Sequence, residues 1–200
     1  LKIGIDPRLV TMTGYSRYAD SISKASGQLP SLDANPVDAI WYNQPAMPAP
    51  SAWRMDDAVA GQSVTDKLQA LADDLRQRNL RAALLSRVDA VNWLVNMRGG
   101  DLPCTPVNLC FAFFDCDHGL TLLGDENRLA PIMDKDIAVR PLADLPDLLA
   151  LCAGDAVLIE PSSLPQALSI VIAASDVEMV EGDCPITQMK ARKNQVEISG

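Results

Sequence analysis

The chain has a single histidine, His118, and only three each of tryptophan, tyrosine and phenylalanine in 200 residues. Any Ser-His-Asp or Cys-His relay would therefore have to run through His118. That residue sits in Asp115-Cys116-Asp117-His118-Gly119, which reads as an exposed turn between two strands with Cys116 as the one nearby nucleophile. A hydrolytic metal centre needs several converging carboxylates or imidazoles, whereas the acidic residues here are scattered over caps and turns, where helix dipoles and water account for them. Phosphate-binding loops are also lacking: there is no Gly-x-x-x-x-Gly-Lys-Ser/Thr, and no Gly-x-Gly-x-x-Gly after a strand. Basic residues cluster nowhere beyond Lys190 to Lys193, and the formal net charge is −9, so a phosphate backbone would be repelled and nucleic acid is not an expected partner. No apolar run reaches membrane-spanning length and no signal-peptide pattern opens the chain, so no membrane partner is expected. The cysteines, Cys104, Cys110, Cys116, Cys152 and Cys184, are odd in number and follow no zinc or redox spacing. They read as reduced thiols of a cytoplasmic protein, with Cys110 and Cys152 as small core residues.

What the chain does have is an apolar share of 48%, enough to fill a core, arranged in alternating strand-like and helix-like stretches. Lys2 to Asp6 reads as a short strand closed by Pro7, followed by a helix through Tyr15, Tyr18, Ala19, Ile22 and Ala25, and Asn35-Pro36 caps a short helix carrying Ile40 and Trp41. One strand and one helix cannot bury their own apolar faces, so residues 1–45 are expected to be the C-terminal part of a first domain, with an exposed apolar face that favours self-association. Gln44 to Pro50 is proline-rich and flanked by Trp41 and Trp53, which are expected to pack one domain against the next, and residues 46–60 are read as the linker. Residues 61–184 are read as a complete second domain. Its predicted elements are a helix from Ser63 to about Asn79, a strand at Ala82–Leu85, and a short helix capped by Asp89. A hairpin of Val107–Phe114 with Leu120–Leu123 follows, then a helix from Asp125 through Met133 and a strand at Ile137–Val139. A helix from Asp144, a strand at Ala156–Ile159, a helix at Pro165–Ala174 and a strand at Val177–Val180 complete it. This pattern predicts an α/β fold with a mixed β-sheet flanked by helices. Asn194-Gln195-Val196-Glu197 is a further cap signal, and residues 185–200 are read as the start of another domain.

The stretch Asn92 to Pro106 stands out. An apolar half-turn ends at Asn96, adjacent Gly99 and Gly100 are expected to release the backbone from negative φ, and Arg98 and Asp101 flank them before two prolines stiffen the exit. A charged loop on a rigid element is a candidate binding feature. The other reading is that Arg98 and Asp101 pair only with each other across the turn. Trp93 follows Ala90 on the helix face expected to be buried.

Several of these residues also form a recognisable order: Gly4-Ile5-Asp6-Pro7; Trp41 with Pro45; Gly61 and Ser63 with Lys67-Leu68; Asp89 and Trp93-Leu94; Asn96-Met97-Arg98-Gly99-Gly100-Asp101 with Pro106; and Lys190-Ala191-Arg192-Lys193-Asn194 with Glu197 and Gly200. The order resembles the three-domain Xaa-Pro aminopeptidases of peptidase family M24, with a departure at Asn43-Gln44-Pro45, where that family commonly has Asp-Arg-Pro. The resemblance implies creatinase N-terminal-like domains of ribonuclease H-like three-layer α/β/α form, ahead of a catalytic domain that lies outside this chain. It implies a parent that removes N-terminal residues preceding proline with two divalent metal ions, typically manganese, and no catalytic or metal-binding residue within this stretch. The implied partners are the parent's own catalytic domain, a second copy in a homodimer, and a peptide with proline in second position. Arg98 is then the candidate for reaching the substrate cleft and meeting a peptide carbonyl or carboxylate, with Asp101 holding the arginine in place. The rivals are a free-standing interaction module of the same fold without enzyme activity, and a fragment of a creatinase or prolidase relative.

Overall fold

The computed structural model describes residues 1–47 and 49–199. Pro48, counted in the proline-rich linker, and Gly200, the last residue of the closing motif, lie outside the described residues.

The chain opens with α1 (Met12–Lys24) and α2 (Pro36–Ile40), each started by a side-chain cap: Thr11 accepts from the Gly14 amide, and Asn35 accepts from Val37. The expected strand at Lys2–Asp6 is reduced to two isolated parallel bridges to residues 28–32, Lys2 to Gln28 and Ile5 to Ser31. Neither helix has a buried residue. The region is tied to the rest by backbone hydrogen bonds between residues 7–13 and 161–167, among them Met12 N to Leu164 O at 2.9 Å and Gln166 N to Val10 O at 2.8 Å. Trp41 and Trp53 are 44% and 53% exposed, so within this chain neither packs one unit against the other as expected.

After the proline-rich segment come β1 (Trp53–Arg54), α3 (Asp57–Ala60), α4 (Val64–Gln77), β2 (Ala82–Leu85), α5 (Val88–Leu94) and β3 (Met97–Arg98). Then follow β4 (Phe111–Asp115), β5 (Gly119–Leu123), α6 (Glu126–Leu129), β6 (Ile137–Arg140), α7 (Leu145–Ala150), β7 (Ala156–Ile159), α8 (Gln166–Ala173), β8 (Glu178–Glu181), α9 (Pro185–Ala191) and α10 (Gln195–Ser199). Six strands form a mixed sheet in the order β6-β5-β4-β2-β7-β8, with β4 antiparallel to both β2 and β5, and the pairs β2–β7, β7–β8 and β5–β6 parallel. Side chains of successive strand residues point to opposite faces, so Ala83 and Leu85 of β2 join the core under α4 and α5, while Ala82 and Leu84 join the core under α7 and α8. Two cores, one on each face, make the three-layer α/β/α arrangement.

Some local readings differ from what the chain does. Arg87, not Asp89, is the cap position of α5, and Asp89 lies in the first turn, bonded to Lys190 at 2.8 Å. Asp144 makes no side-chain cap because a 3-10 turn at Leu142–Asp144 runs straight into α7. The helix from Asp125 breaks into α6 and a 3-10 turn at Ala130–Ile132, where Pro131 lacks the amide that an α-helix would use. The first arm of the hairpin begins at Phe111, since residues 107–110 are drawn aside to pair with the glycine loop. Helix α9 is part of the same body, with Cys184 and Ile186 buried in the core under α4 and α5. Among the described residues no helix is long and apolar enough to cross a membrane.

Candidate functional site

The glycine loop is held from both sides. β3 pairs antiparallel with β1, Trp53 opposite Arg98 and Arg54 opposite Met97, and Met55 N donates to Asn96 O at 2.7 Å, so the segment after the prolines forms one wall of the loop. The loop then doubles back, with Gly99 N donating to Pro106 O and Asp101 N to Val107 O. Neither Gly99 nor Gly100 has positive φ; the left-handed positions are Asn96 (φ 49°) and Cys104 (φ 59°). The glycine at 99 is required by packing instead, because a Cβ there would lie 2.8 Å from both Cβ and N of Asn108.

Asp101 and Arg98 do not meet as expected. Asp101 is buried, and its Oδ2 accepts from the Leu109 amide at 2.6 Å and from the Arg128 guanidinium. Arg128 also reaches Asn108 Oδ1 at 3.1 Å, and Asn108 Nδ2 donates to Pro50 O. Asn92 completes the set by accepting from Asn108 N and donating to Asn108 O, both at 2.9 Å. Asp101 therefore fixes the loop to α6 and leaves Arg98 alone. A buried charge pair supported by this many hydrogen bonds fixes one geometry. Asp101 Oδ1 is buried without a hydrogen-bond partner among the described residues, a position that calls for a donor such as an ordered water.

Arg98 is half-buried, and among the described residues its one side-chain hydrogen bond is from Nη1 to the adjacent Met97 carbonyl. It borders a cleft of about 170 Å³ lined by Met55, Val59, Lys67, Trp93, Asn96 and Glu197. Lys67 is the unexpected member. Although it lies on the stripe side of α4, a lysine is normally taken for surface, yet it is 1% exposed. Its Nζ donates to Asn96 Oδ1 at 2.6 Å and Trp93 O at 2.8 Å, and sits 3.9 Å from the centre of the Trp93 ring. Trp93 thus packs against the core with one part and lines the cleft with another. Asn96 in turn donates to Asp57 Oδ1 and Gln62 O, which secures its left-handed turn. Burial pushes the Lys67 ammonium down to about 8; Glu197 and Asp57 pull it back, and Arg98 adds to the depression.

The histidine turn is a structural latch. Asp115, at the end of β4, accepts from Arg81 Nε at 2.8 Å and bonds His118 Nδ1 at 2.8 Å. Burial opposes its ionisation, but Arg81, the Asp117 amide and His118 outweigh that and hold its pKa at about 2. Burial raises the Cys116 thiol, whose sulfur faces the Ala72 and Leu80 carbonyls at 4.0 and 3.9 Å, so it is not an activated nucleophile. Among the described residues no three His, Cys, Asp or Glu side chains converge as a metal would need. The donor set of this region does not fit a pair of metal ions.

Comparison with known proteins places these features. A protein of Colletotrichum graminicola named "Probable Xaa-Pro aminopeptidase P" is 28% identical over 216 residues, covering 99% of this chain and 35% of that protein. One of the same name from Phaeosphaeria nodorum is 31% identical over 214 residues, covering 99% of this chain and 32% of that protein. The chain thus spans about a third of the length of these relatives. A crystal structure of the X-prolyl aminopeptidase of Caenorhabditis elegans, described as a cytosolic enzyme with a di-nuclear active site, matches with a TM-score of 0.84. The match covers 99% of this chain and 34% of that one at 23% identity, a likeness of fold. A family model for the creatinase/prolidase N-terminal domain matches residues 43–197, which takes in the mixed sheet, the glycine loop and the cleft. The chain belongs to the creatinase/prolidase N-terminal domain family.

Proposed function

We propose that this chain is the non-catalytic region of a cytoplasmic, metal-dependent Xaa-Pro aminopeptidase, and that its glycine loop borders the substrate cleft of the parent enzyme. The relatives that match along nearly the whole chain bear that enzyme's name and are about three times as long, which leaves room for a catalytic domain. The two divalent ions, manganese in this reading, are assigned to that domain, since among the described residues no set of side chains here fits them. Peptides with proline in second position are the substrate class, and the present region covers the cleft and supports assembly of a homodimer.

The observation that carries the reading is the state of Arg98. A guanidinium has five N–H donors in a fixed fork, and here only one bond, to a neighbouring carbonyl, is made among the described residues. The loop behind it is fixed by the buried Asp101–Arg128 pair, so Arg98 is presented by a rigid support at the mouth of a cleft. Such a group suits a peptide carbonyl or a terminal carboxylate. Asp101 contributes by holding the loop rather than the arginine.

The test is an assay of the full-length parent on an Xaa-Pro peptide with manganese, comparing wild type, Arg98→Lys and Arg98→Ala. Loss of a charged hydrogen bond to substrate predicts that Arg98→Ala lowers kcat/KM roughly tenfold or more while its thermal melt stays that of wild type. A variant that cleaves like wild type makes the loop purely structural. A parent that never cleaves the peptide removes the aminopeptidase reading itself.

A further inference from the structure

Gly61 and Asn194 lie far apart in sequence and belong to two short motifs that the aminopeptidase reading leaves without a role. In the fold they touch. Gly61 ends α3 with φ 73°, its N–H bonded to Asp57 O at 2.8 Å, and a Cβ added there would run into the Asn194 carboxamide, closest to its Oδ1 and 2.6 Å from its Cγ. Both the left-handed backbone and the space therefore demand glycine.

The Asn194 amide works in two directions. Its Oδ1 accepts from the Glu197 amide at 2.9 Å, capping α10, while its Nδ2 donates to Ala60 O at 2.8 Å, serving a carbonyl that the end of α3 leaves without an intrahelical partner. Glu197 Oε2 accepts from Asn194 N at 2.9 Å and closes a reciprocal capping box. One side chain thus joins the end of one helix to the start of another. Helix α10 has five residues and none is buried, so neither length nor packing of its own holds it in place. Its placement comes from this joint, and the joint puts Glu197 on the wall of the cleft opposite Lys67 and Arg98.

We propose that Gly61 and the Asn194–Glu197 capping box form an interlock, with Gly61 as the positioning residue that seats α10 and makes Glu197 the acidic wall of the Lys67–Arg98 cleft. The inference goes beyond the aminopeptidase reading and rests on contacts within this chain, so it stands or falls without an activity assay. The charged groups facing Lys67 are Asp57 from α3, whose side chain Asn96 Nδ2 also holds, Arg98 from β3, and Glu197 from α10, which the joint seats.

The test uses the 200-residue chain. Asn194→Asp keeps a good capping oxygen but replaces the donor to Ala60 O with a second acceptor. The interlock predicts that amide exchange at Glu197 and Ile198 quickens roughly fivefold or more in this variant, while the Leu84 amide in the sheet exchanges as in wild type. If α10 stands on its cap alone, Asn194→Asp leaves those amides unchanged and the proposal is overturned. A double-mutant cycle gives a second reading: Gly61→Ala costs less stability in an Asn194→Ala background than in wild type, because the steric part of the cost is gone. Equal costs in both backgrounds overturn the interlock. In Gly61→Ala the Lys67 ammonium, followed by NMR, titrates at lower pH than in wild type because Glu197 has moved away; an unchanged midpoint means that Glu197 was never held by the joint. Should Gly61→Ala fail to fold, Asn194→Asp decides alone.

Discussion

Helices α1 and α4 have 13 and 14 residues, and each starts at a hydroxyl cap, Thr11 or Ser63, that accepts an amide from the first turn. Each carries an apolar stripe at helical spacing. Helix α4 buries Val64, Lys67, Leu68, Leu71, Ala72 and Leu75, and α1 buries nothing. The same local rules thus produce two helices, and what separates them is whether a sheet lies underneath. Residues 1–47 add little to either core beyond Met12, which packs against the side under α7 and α8, and they leave Tyr18, Val37, Ile40, Trp41 and Tyr42 in solvent. A cap and a stripe decide that a helix forms; burial is decided by partners elsewhere in the chain.

The sharpest way to test that difference is to remove the same kind of atoms from both helices. Leu71 has no exposed surface, so Leu71→Ala takes away buried methyl groups and leaves a void, costing about 3 kcal/mol. Ile22 on α1 is only partly covered, and Ile22→Ala is expected to cost no more than about 0.5 kcal/mol. Urea unfolding followed by far-ultraviolet circular dichroism measures both. Comparable losses would mean that α1 is buried against something, a second copy for instance, under the conditions of the measurement.

Much of the architecture could be read from local pattern because local pattern causes it. The apolar runs at Ala82–Leu85 and Ala156–Ile159 lie in the sheet because both faces are covered, and the stripe of α4 faces the core because its positions recur every three or four residues. The Asn194–Glu197 box was legible for the same reason, being closed within four residues. What could not be read depends on partners distant in sequence. Asp101 binds Arg128, 27 positions away on a helix that offers no sign of it, rather than Arg98 three positions away. Nothing in the residues next to Lys67 tells that its ammonium is buried, and only the fold brings Trp93 and Asn96 around it. Gly99 and Gly100 suggest a left-handed backbone, whereas the left-handed residues of that stretch are Asn96 and Cys104, and the side chain of Asn96 makes the bonds that tolerate it.

Lys67 offers a smaller test of the buried side, in its pH dependence. Its folded pKa, about 8, lies below the ordinary 10.5, so between those values the unfolded chain keeps a proton that the folded chain has released, and this group makes stability rise with pH. Burial does the opposite for Cys110 and Cys152, whose thiols are raised from 9.0 to about 12: above pH 9 the unfolded thiols ionise first and stability falls. Between pH 8 and 9 the lysine contribution amounts to ~1 kcal/mol; the unfolded thiols, already half ionised at pH 9, offset part of it in wild type and Lys67→Met alike, so it is read as the difference between the two. Relative to wild type, Lys67→Met should lose that rise, as read from unfolding free energies at the two pH values. A rise that survives the substitution would assign it to another group and place the Lys67 ammonium in better contact with water than its burial allows.

The caps give the finest comparison. Ser63→Ala removes the acceptor for Asp66 N on a helix whose stripe is in the core, so its cost of about 1 kcal/mol should appear in the melting of the whole α/β body. Thr11→Ala removes the equivalent bond to Gly14 N on a helix with nothing buried, and there the cost stays local. Amide exchange at Gly14 and Tyr15 should quicken several-fold while the melting temperature stays that of wild type. If instead Thr11→Ala lowers the melt as much as Ser63→Ala does, residues 1–47 unfold together with the body. The backbone bonds from residues 7–13 to residues 161–167 would then couple the two regions as strongly as a shared core.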